Sequence, residues 1–399
     1  MELFFWFRAF LFTVILIGPG CTQYPRQVVN TGDAKLVPTL LNDLPGWDND
    51  SIQDTLIPFY RSCKKILLKN PSVPMGSQKY SGFAEDWQLA CRALPALDAT
   101  GEEVRRYLNQ EFKAYKIIDN KNLTGLFTGY FEPILKGSRN KTKNFTTPVY
   151  PRPKDLILVS LGDWRQSLKG ERIAGKLSGP RLKPYFSRTK IRKGALNKNT
   201  KPILWLESDI DAFFLHIQGS GRIDLSDGST VRLGYAGHNG HNYFPIGRYL
   251  KEIGAIKEKD MSLQKIKHWL LQNPEKRNFV MDKNPSYIFF REVSGTGPVG
   301  AHGVALTPGR SLAVDRRFIS LGTFVWLQAN YSDENGQKLQ RLMVAQDTGG
   351  AIKGMIRGDV FWGSGATALK LAGPMKAQGE IFLIIPKSIV VGGVVMSNE

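Results

Sequence analysis

Between residues 344 and 365 the chain reads VAQDTGGAIKGMIRGDVFWGSG, and this segment restricts the fold more than any other. Two aspartates, Asp347 and Asp359, stand among strand formers and glycines, with Lys353 and Arg357 as the other charges. Residues 342–345 read as a strand that ends at Asp347. Gly349 and Gly350 are expected to turn the chain there, because glycine tolerates positive φ. An acid that ends a strand beside a turn sits at a sheet rim, where side chains meet ligands. Two acids returned to one rim share a field that drives their pKa values apart, so one stays protonated while its neighbour is ionised. The plain alternative is two solvated loop aspartates; the glycine density and the aromatics Phe361 and Trp362 weigh against it.

The rest of the chain has the same short-strand texture. Its 399 residues, 42% hydrophobic, give room for two domains. Helical spacing of apolar residues appears at 52–69, 83–94 and 102–115, and again at 246–253 and 263–272. Short β-rich runs occur at 126–130, 203–206, 212–218, 231–235, 287–291, 311–314, 323–328, 342–345 and 381–385. Alternating βα units are absent, which argues against a doubly wound sheet and for β-barrels. Residues 21–50, with Pro25, Pro38 and Pro45, read as linker.

At the N-terminus an apolar run over residues 3–17 is broken only by Arg8 and Thr13, too short for a confident membrane span. It reads as an export signal over residues 1–20, with Cys21 a candidate for lipid attachment. Cys63 and Cys91 form either a disulfide or two buried thiols. With three cysteines, five histidines, no CxxC and no HExxH, neither a metal site nor a cofactor is expected. The net charge of +19 is concentrated: residues 136–201 hold 18 Lys and Arg against Asp155, Asp163 and Glu171, a local excess of +15. Such a surface suits a polyanion, whether nucleic acid, anionic lipid or a carboxylate-bearing wall polymer, unless it is simply a solvated insertion.

Individual motifs narrow the chemistry. Asp347-Thr348-Gly349 matches the aspartic protease tripeptide, but a single copy cannot build that dyad in one chain. In His216–Arg222 (HIQGSGR), Gln218 and Ser220 offer neutral hydrogen-bond partners, while Gly219 and Gly221 let a ligand approach the backbone. That suits a polar, uncharged ligand such as a sugar; a β-turn is the alternative. Ser220 is not in a GxSxG elbow. Tyr130, in GYFEP, and Tyr235, in VRLGYAGHNGH, are candidate sugar-stacking aromatics. Asp315, followed by Arg316 and Arg317, either fixes a turn or serves as an accessory acid.

Six ordered blocks between residues 129 and 379 resemble the membrane-bound lytic murein transglycosylase A (MltA) family. They are GYFEPILKG, FFLHIQGSGR, VRLGYAGHNGH with IGRYL, NPSYIFFRE, LAVDRRFISLG, and AQDTGGAIKG with GDVFWG. The resemblance implies a mainly β fold with a helical N-terminal region. A double-psi β-barrel (residues 51–132 and 293–399) is interrupted by a second, inserted β-barrel (133–292), with a substrate groove between them. It places the catalytic acid on Asp359, with Asp347 close by and Asp315 completing a three-aspartate pattern. Tyr130, Gln218, Gly219, Ser220, Gly221, Tyr235 and Lys353 become the expected substrate contacts. The implied reaction cleaves the β-1,4 bond between N-acetylmuramic acid and N-acetylglucosamine in peptidoglycan, leaving 1,6-anhydromuramic acid ends. The implied partners are glycan strands, and outer-membrane lipid where Cys21 is acylated, for an exported, periplasmic monomer without nucleic-acid or metal partners. A non-catalytic polysaccharide-binding protein is the alternative. Gly358 replaces the bulky residue usual before the family's acid, and a looser strand is expected there.

Overall fold

The computed structural model describes residues 29–391, apart from 32–33, 120–121, 169–170, 197–199, 296, 333–335 and 337. Cys21 and the export signal lie outside the described residues. Strands β1 (Val29–Thr31) and β2 (Ala34–Thr39) lead to helices α1 (Leu56–Ile66), α2 (Ala84–Arg92) and α3 (Gly101–Glu111), then to β3 (Phe112–Asp119) and β4 (Gly125–Glu132). Next come β5 (Ile134–Ser138), β6 (Thr147–Val149), β7 (Ile157–Ser160), β8 (Arg172–Ser178), β9 (Arg181–Pro184) and α4 (Arg188–Arg192). They are followed by β10 (Leu204–Leu206), α5 (Asp209–Gln218), β11 (Gly221–Leu225), β12 (Thr230–His238), α6 (Ile246–Glu252), α7 (Leu263–Gln272), α8 (Pro274–Asp282) and β13 (Ile288–Glu292). The chain closes with β14 (Ser311–Val314), β15 (Phe324–Ser332), β16 (Lys338–Asp347), β17 (Arg357–Ser364), α9 (Gly365–Ala372) and β18 (Lys376–Pro386).

Six of these strands close on themselves. β14 pairs in parallel with β16 and antiparallel with β17, and β17 runs parallel to β4. β4 pairs with the first part of β18, which joins β15, and β15 returns to β16. Closure removes the unpaired edges that an open sheet would expose. Strand β14 is buried along its whole length, and β16 is buried from Leu342 to Gln346. Both therefore read as apolar runs instead of an in–out alternation. This is the nearly closed barrel implied by the resemblance.

The N-terminal helices seal one side of the barrel. In α1, Leu56, Phe59, Cys63 and Ile66 recur at helical spacing and are buried. Phe59 stacks on Phe324 at 4.0 Å between centroids, with Phe112 5.4 Å from Phe324. Burying each such side chain is worth roughly 2–3 kcal/mol. Cys63 and Cys91 are joined in a disulfide that ties α1 to α2. Residues 34–50, expected as linker, instead belong to the fold. β2 pairs with β3, Leu36 and Trp47 are buried, and the Asp50 carboxylate accepts from Arg310 (2.8 Å) and from the Leu342 N–H (2.9 Å).

Beyond Pro133 the chain builds a second sheet in the order β13-β12-β11-β5-β10-β6. Its two ends meet where the Phe290 N–H donates to the Tyr150 carbonyl (3.0 Å) and Pro151 bridges Phe290. Several contacts hold this unit to the barrel, three of them clustered where β4 ends. Buried Glu132 pairs with Arg232 (2.7 Å) and accepts from Ser364 (2.7 Å), and the Phe131 N–H donates to Gln218 Oε1 (3.0 Å). A separate three-stranded sheet, β7-β8-β9, projects from the same unit.

Two expected elements change type. Residues 212–218 are the body of helix α5, not a strand. The Ser208 hydroxyl accepts from the Asp211 N–H at the start, and Gly219, at φ 76°, ends it. The helix expected over 102–115 stops at Glu111, because Phe112 onward is claimed by pairing with β2 and β18.

Candidate active site

The two aspartates of the opening segment meet through a third strand. Ala313 on β14 is the register partner of Asp347 on one side and of Asp359 on the other. Two strand spacings put their Cα atoms roughly 10 Å apart. The Gly349–Gly350 turn is not what joins them. Neither glycine has positive φ, which appears instead at Gly354 (φ 107°). Both acids are half-buried, recessed in protein while still reaching solvent.

Their hydrogen-bond surroundings differ sharply. Asp347 Oδ2 accepts from the Tyr130 hydroxyl (2.8 Å), and Oδ1 accepts from the N–H groups of Ala301 and Thr348 (both 2.9 Å). Asp359 accepts one bond among the described residues, from the Thr128 hydroxyl to Oδ1 (2.7 Å). Thr128 is its direct partner across the parallel β17–β4 pair and in turn accepts from Arg357 Nη2 (2.8 Å). Burial pushes the Asp359 carboxyl up to about 6, against the lowering effects of Arg357 and Thr128 and with a further push from the charge of Asp347. Asp347 is also raised by burial, partly offset by its three donors.

Asp315 goes the other way. It accepts from the Arg317 side chain (2.6 Å), the Arg317 N–H (3.1 Å) and the Gly354 N–H (2.9 Å). Burial works to raise its pKa, but these donors outweigh it and hold the carboxyl below its ordinary value. It pins the β14 exit to the loop that precedes β17.

The expected substrate contacts divide into open and occupied groups. Tyr235 is 47% exposed at the β12 bulge, and Lys353 is exposed on the loop before β17. The Lys353 charge reaches His238 on β12, whose pKa is lowered by burial and then by Lys353 and Arg172. Barrel and inserted unit therefore face each other here. Tyr130 offers no open ring. It is 8% exposed, packed 5.3 Å from Phe361, and committed to Asp347. Gln218 spends its carbonyl on Phe131, Gly219 caps α5, and Ser220 and Gly221 are buried. The HIQGSG segment thus helps dock the inserted unit onto the barrel.

Gly358 does not slacken its strand. A Cβ there would lie 2.9 Å from Leu312 and 3.0 Å from Phe127, so neighbouring side chains already fill the space. Sequence reasoning missed Thr128, whose importance lies wholly in its register with Asp359. It also missed Tyr243, pushed up to about 12 by burial and by the charge of Asp359, with Arg188 opposing.

Residues 126–291 match the MltA specific insert domain, and residues 310–385 match the 3D domain. The fold superposes on a crystal structure of MltA from Neisseria gonorrhoeae with a TM-score of 0.75 and 32% identity, covering 92% of this chain and 97% of that one. The chain belongs to the MltA family. A second MltA-family likeness is the membrane-bound lytic murein transglycosylase of Agrobacterium tumefaciens, with TM-score 0.79 and 30% identity over 88% of this chain and 97% of that one. Escherichia coli MltA with bound chitohexaose is similar at TM-score 0.61 and 27% identity, over 91% and 95% of the two chains. In sequence, the membrane-bound lytic murein transglycosylase A of E. coli K12 is 34% identical over 265 residues; the match spans 65% of each chain. Among the described residues no helix is long and apolar enough to cross a membrane.

Proposed function

We propose that this MltA-family chain is a lytic murein transglycosylase with Asp359 as its single acid and base. The observation that carries the reading is the contrast in donors. Asp315 and Asp347 have their oxygens occupied by backbone N–H groups and neighbouring side chains, whereas Asp359 has one hydroxyl partner and a pKa pushed up to about 6. A general acid must hold a proton near neutral pH and have an oxygen free to deliver it. Asp359 meets both requirements.

In the proposed reaction Asp359 gives its proton to the glycosidic oxygen between N-acetylmuramic acid and N-acetylglucosamine as the C1–O bond breaks. The negative field of Asp347, two strands away, favours the developing oxocarbenium ion. The muramoyl 6-hydroxyl then closes on C1, and its proton returns to the Asp359 carboxylate. No water is consumed, and the product ends in a 1,6-anhydro ring. Thr128 fixes the acid's orientation, and Tyr130 fixes that of Asp347.

Tyr235 and Lys353 are the candidates for direct glycan contact, lying on opposite sides of the groove between the inserted unit (residues 133–292) and the barrel. The E. coli relative with bound chitohexaose supports a glycan as the ligand. The membrane-bound relatives support envelope association. We place the chain in the periplasm as a monomer, anchored to the outer membrane through acylated Cys21.

Incubation with purified murein sacculi, followed by mass analysis of the soluble products, tests the reading. Muropeptides one water lighter than hydrolytic products are expected. Full-mass products would make the chain a hydrolase, and absence of products would make it a polysaccharide-binding protein.

A further inference from the structure

The small sheet β7-β8-β9 is amphipathic with its faces reversed. Its register sets Val159 opposite Ile173 and Leu177 opposite Leu182, so these four side chains share one face. By alternation Arg172, Lys176, Arg181 and Lys183 share the other. A half-buried antiparallel sheet ordinarily turns its apolar face toward the body of the protein. Here it is the opposite face that packs on the body, through Ala174 and Lys176, while Arg172, Arg181 and Lys183 on it stay exposed. Ala174, between Arg172 and Lys176, is buried against Gly240, and Lys176 Nζ lies 4.0 Å from the centroid of the Phe186 ring. The apolar face points away, leaving Ile173 43%, Leu177 63% and Leu182 37% exposed. Trp164, in the turn after β7, is 71% exposed.

We propose that this outward face is a docking surface for an anionic phospholipid bilayer. Leucine, isoleucine and valine on one face with lysine and arginine on the other is the composition of elements that lie in a membrane interface. The apolar side chains enter the boundary between headgroups and acyl chains. The long basic stems at the strand ends, where Arg181 and Lys183 are exposed, reach round to the lipid phosphates. Charge selects this occupant over a second copy of the chain. The surrounding residues 136–201 carry an excess of +15, which a second copy would meet with like charge and an anionic bilayer with the opposite sign. Strand addition at β9 is also blunted by Pro184, which has no N–H to donate. The proposal is independent of the catalytic reading. It gives the inserted unit its own membrane contact, separate from any acyl chain at Cys21.

The test is flotation of the chain without its export signal, from residue 21 onward and carrying Cys21→Ser, with vesicles of phosphatidylethanolamine and phosphatidylglycerol, or of phosphatidylcholine alone. The same chain with Leu177→Asp and Leu182→Asp is compared alongside, its unfolding midpoint confirming that it is folded. The paired variant should bind the anionic vesicles about tenfold or more weakly, and the parent should prefer anionic over zwitterionic vesicles by a similar factor. Equal binding of parent and variant, or no preference for anionic lipid, would overturn the proposal. So would a dimer that the two aspartates dissolve without any change in vesicle binding. Leu177→Trp supplies a second measurement that does not depend on a disruptive change. Brominated acyl chains should quench the added emission, and absence of quenching would also overturn the assignment.

Discussion

Asp315 and Asp359 sit one strand apart in the same barrel, yet the protein sets them to opposite tasks. Burial works on both carboxyls in the same direction, upward. At Asp315 a guanidinium and two backbone N–H groups reverse that push. At Asp359 one hydroxyl and a more distant guanidinium do not. Burial alone therefore does not identify a proton donor. The number and kind of hydrogen bonds to the ionised form decide whether a recessed acid becomes an anchor or a proton store.

The largest expected effect removes the proton store. Asp359→Asn should lower muropeptide release by about 10³-fold or more, within the range for loss of a general acid–base, while the protein stays folded. Near-parental release would end the assignment. Stability gives an independent readout. The folded state raises this pKa from 3.8 to about 6, so the contribution of Asp359 is fully present below 3.8 and is lost as pH rises through about 6. The asparagine variant should lack that decline and be the more stable protein, relative to the parent, above pH 6.

Asp347→Asn should have the next largest effect, a loss of about tenfold to a hundredfold from weaker support of the cationic centre. The charge of Asp347 helps hold the Asp359 pKa up, so the limb on which activity falls with rising pH should move to lower pH. An unmoved limb would show that the two acids do not couple.

Asp347 and Asp359 were legible because their spacing among glycines and strand formers is unusual; Asp315 joined them only through the resemblance to the family. How Asp347 and Asp359 meet was not legible. The local turn expected at Gly349 and Gly350 is replaced by insertion of β14 between β16 and β17, a pairing that depends on residues more than thirty positions upstream. Thr128 was invisible for the same reason, since nothing near it in sequence names Asp359 as its partner. Helix α5 was misread because AFFLHIQ is apolar almost all round, as suits a buried helix, and such a run mimics a buried strand. Ser208, with Asp209 and Asp211 in the first turn and Gly219 at the end, carried the signal that distinguishes them. Residues 34–50 looked like linker from their prolines, yet Asp50 is placed by Arg310, 260 positions away.

Replacing the anchor should affect stability more than chemistry. Asp315→Asn removes charge-assisted bonds from Arg317 and Gly354 and should cost about 1–2 kcal/mol near neutral pH, with kcat retained. The folded pKa of Asp315 is lowered, so its contribution is present above its unfolded value of 3.8 and is lost as pH falls through the lower folded one. The gap between parent and variant should therefore close in acid. A large loss of kcat with unchanged stability would instead place Asp315 in the reaction.

Thr128→Val is the finest probe, because it changes one donor to Asp359 and leaves the acid in place. The Thr128 hydroxyl lowers the Asp359 pKa, so its removal should shift the falling limb of activity to higher pH, opposite to the shift from Asp347→Asn. The loss in kcat/KM at the optimum should stay below about tenfold, the worth of one hydrogen bond. Thr128→Ser, which restores the donor, should return the limb to its parental position. A loss without any shift would mean that Thr128 serves only to pack β4 against β17. Equal shifts in the valine and serine variants would show that the methyl group, not the hydroxyl, governs the site. Opposite shifts from Thr128 and Asp347 would establish that the proton on Asp359 is set by its immediate donors and its neighbour's charge, the property that separates it from Asp315.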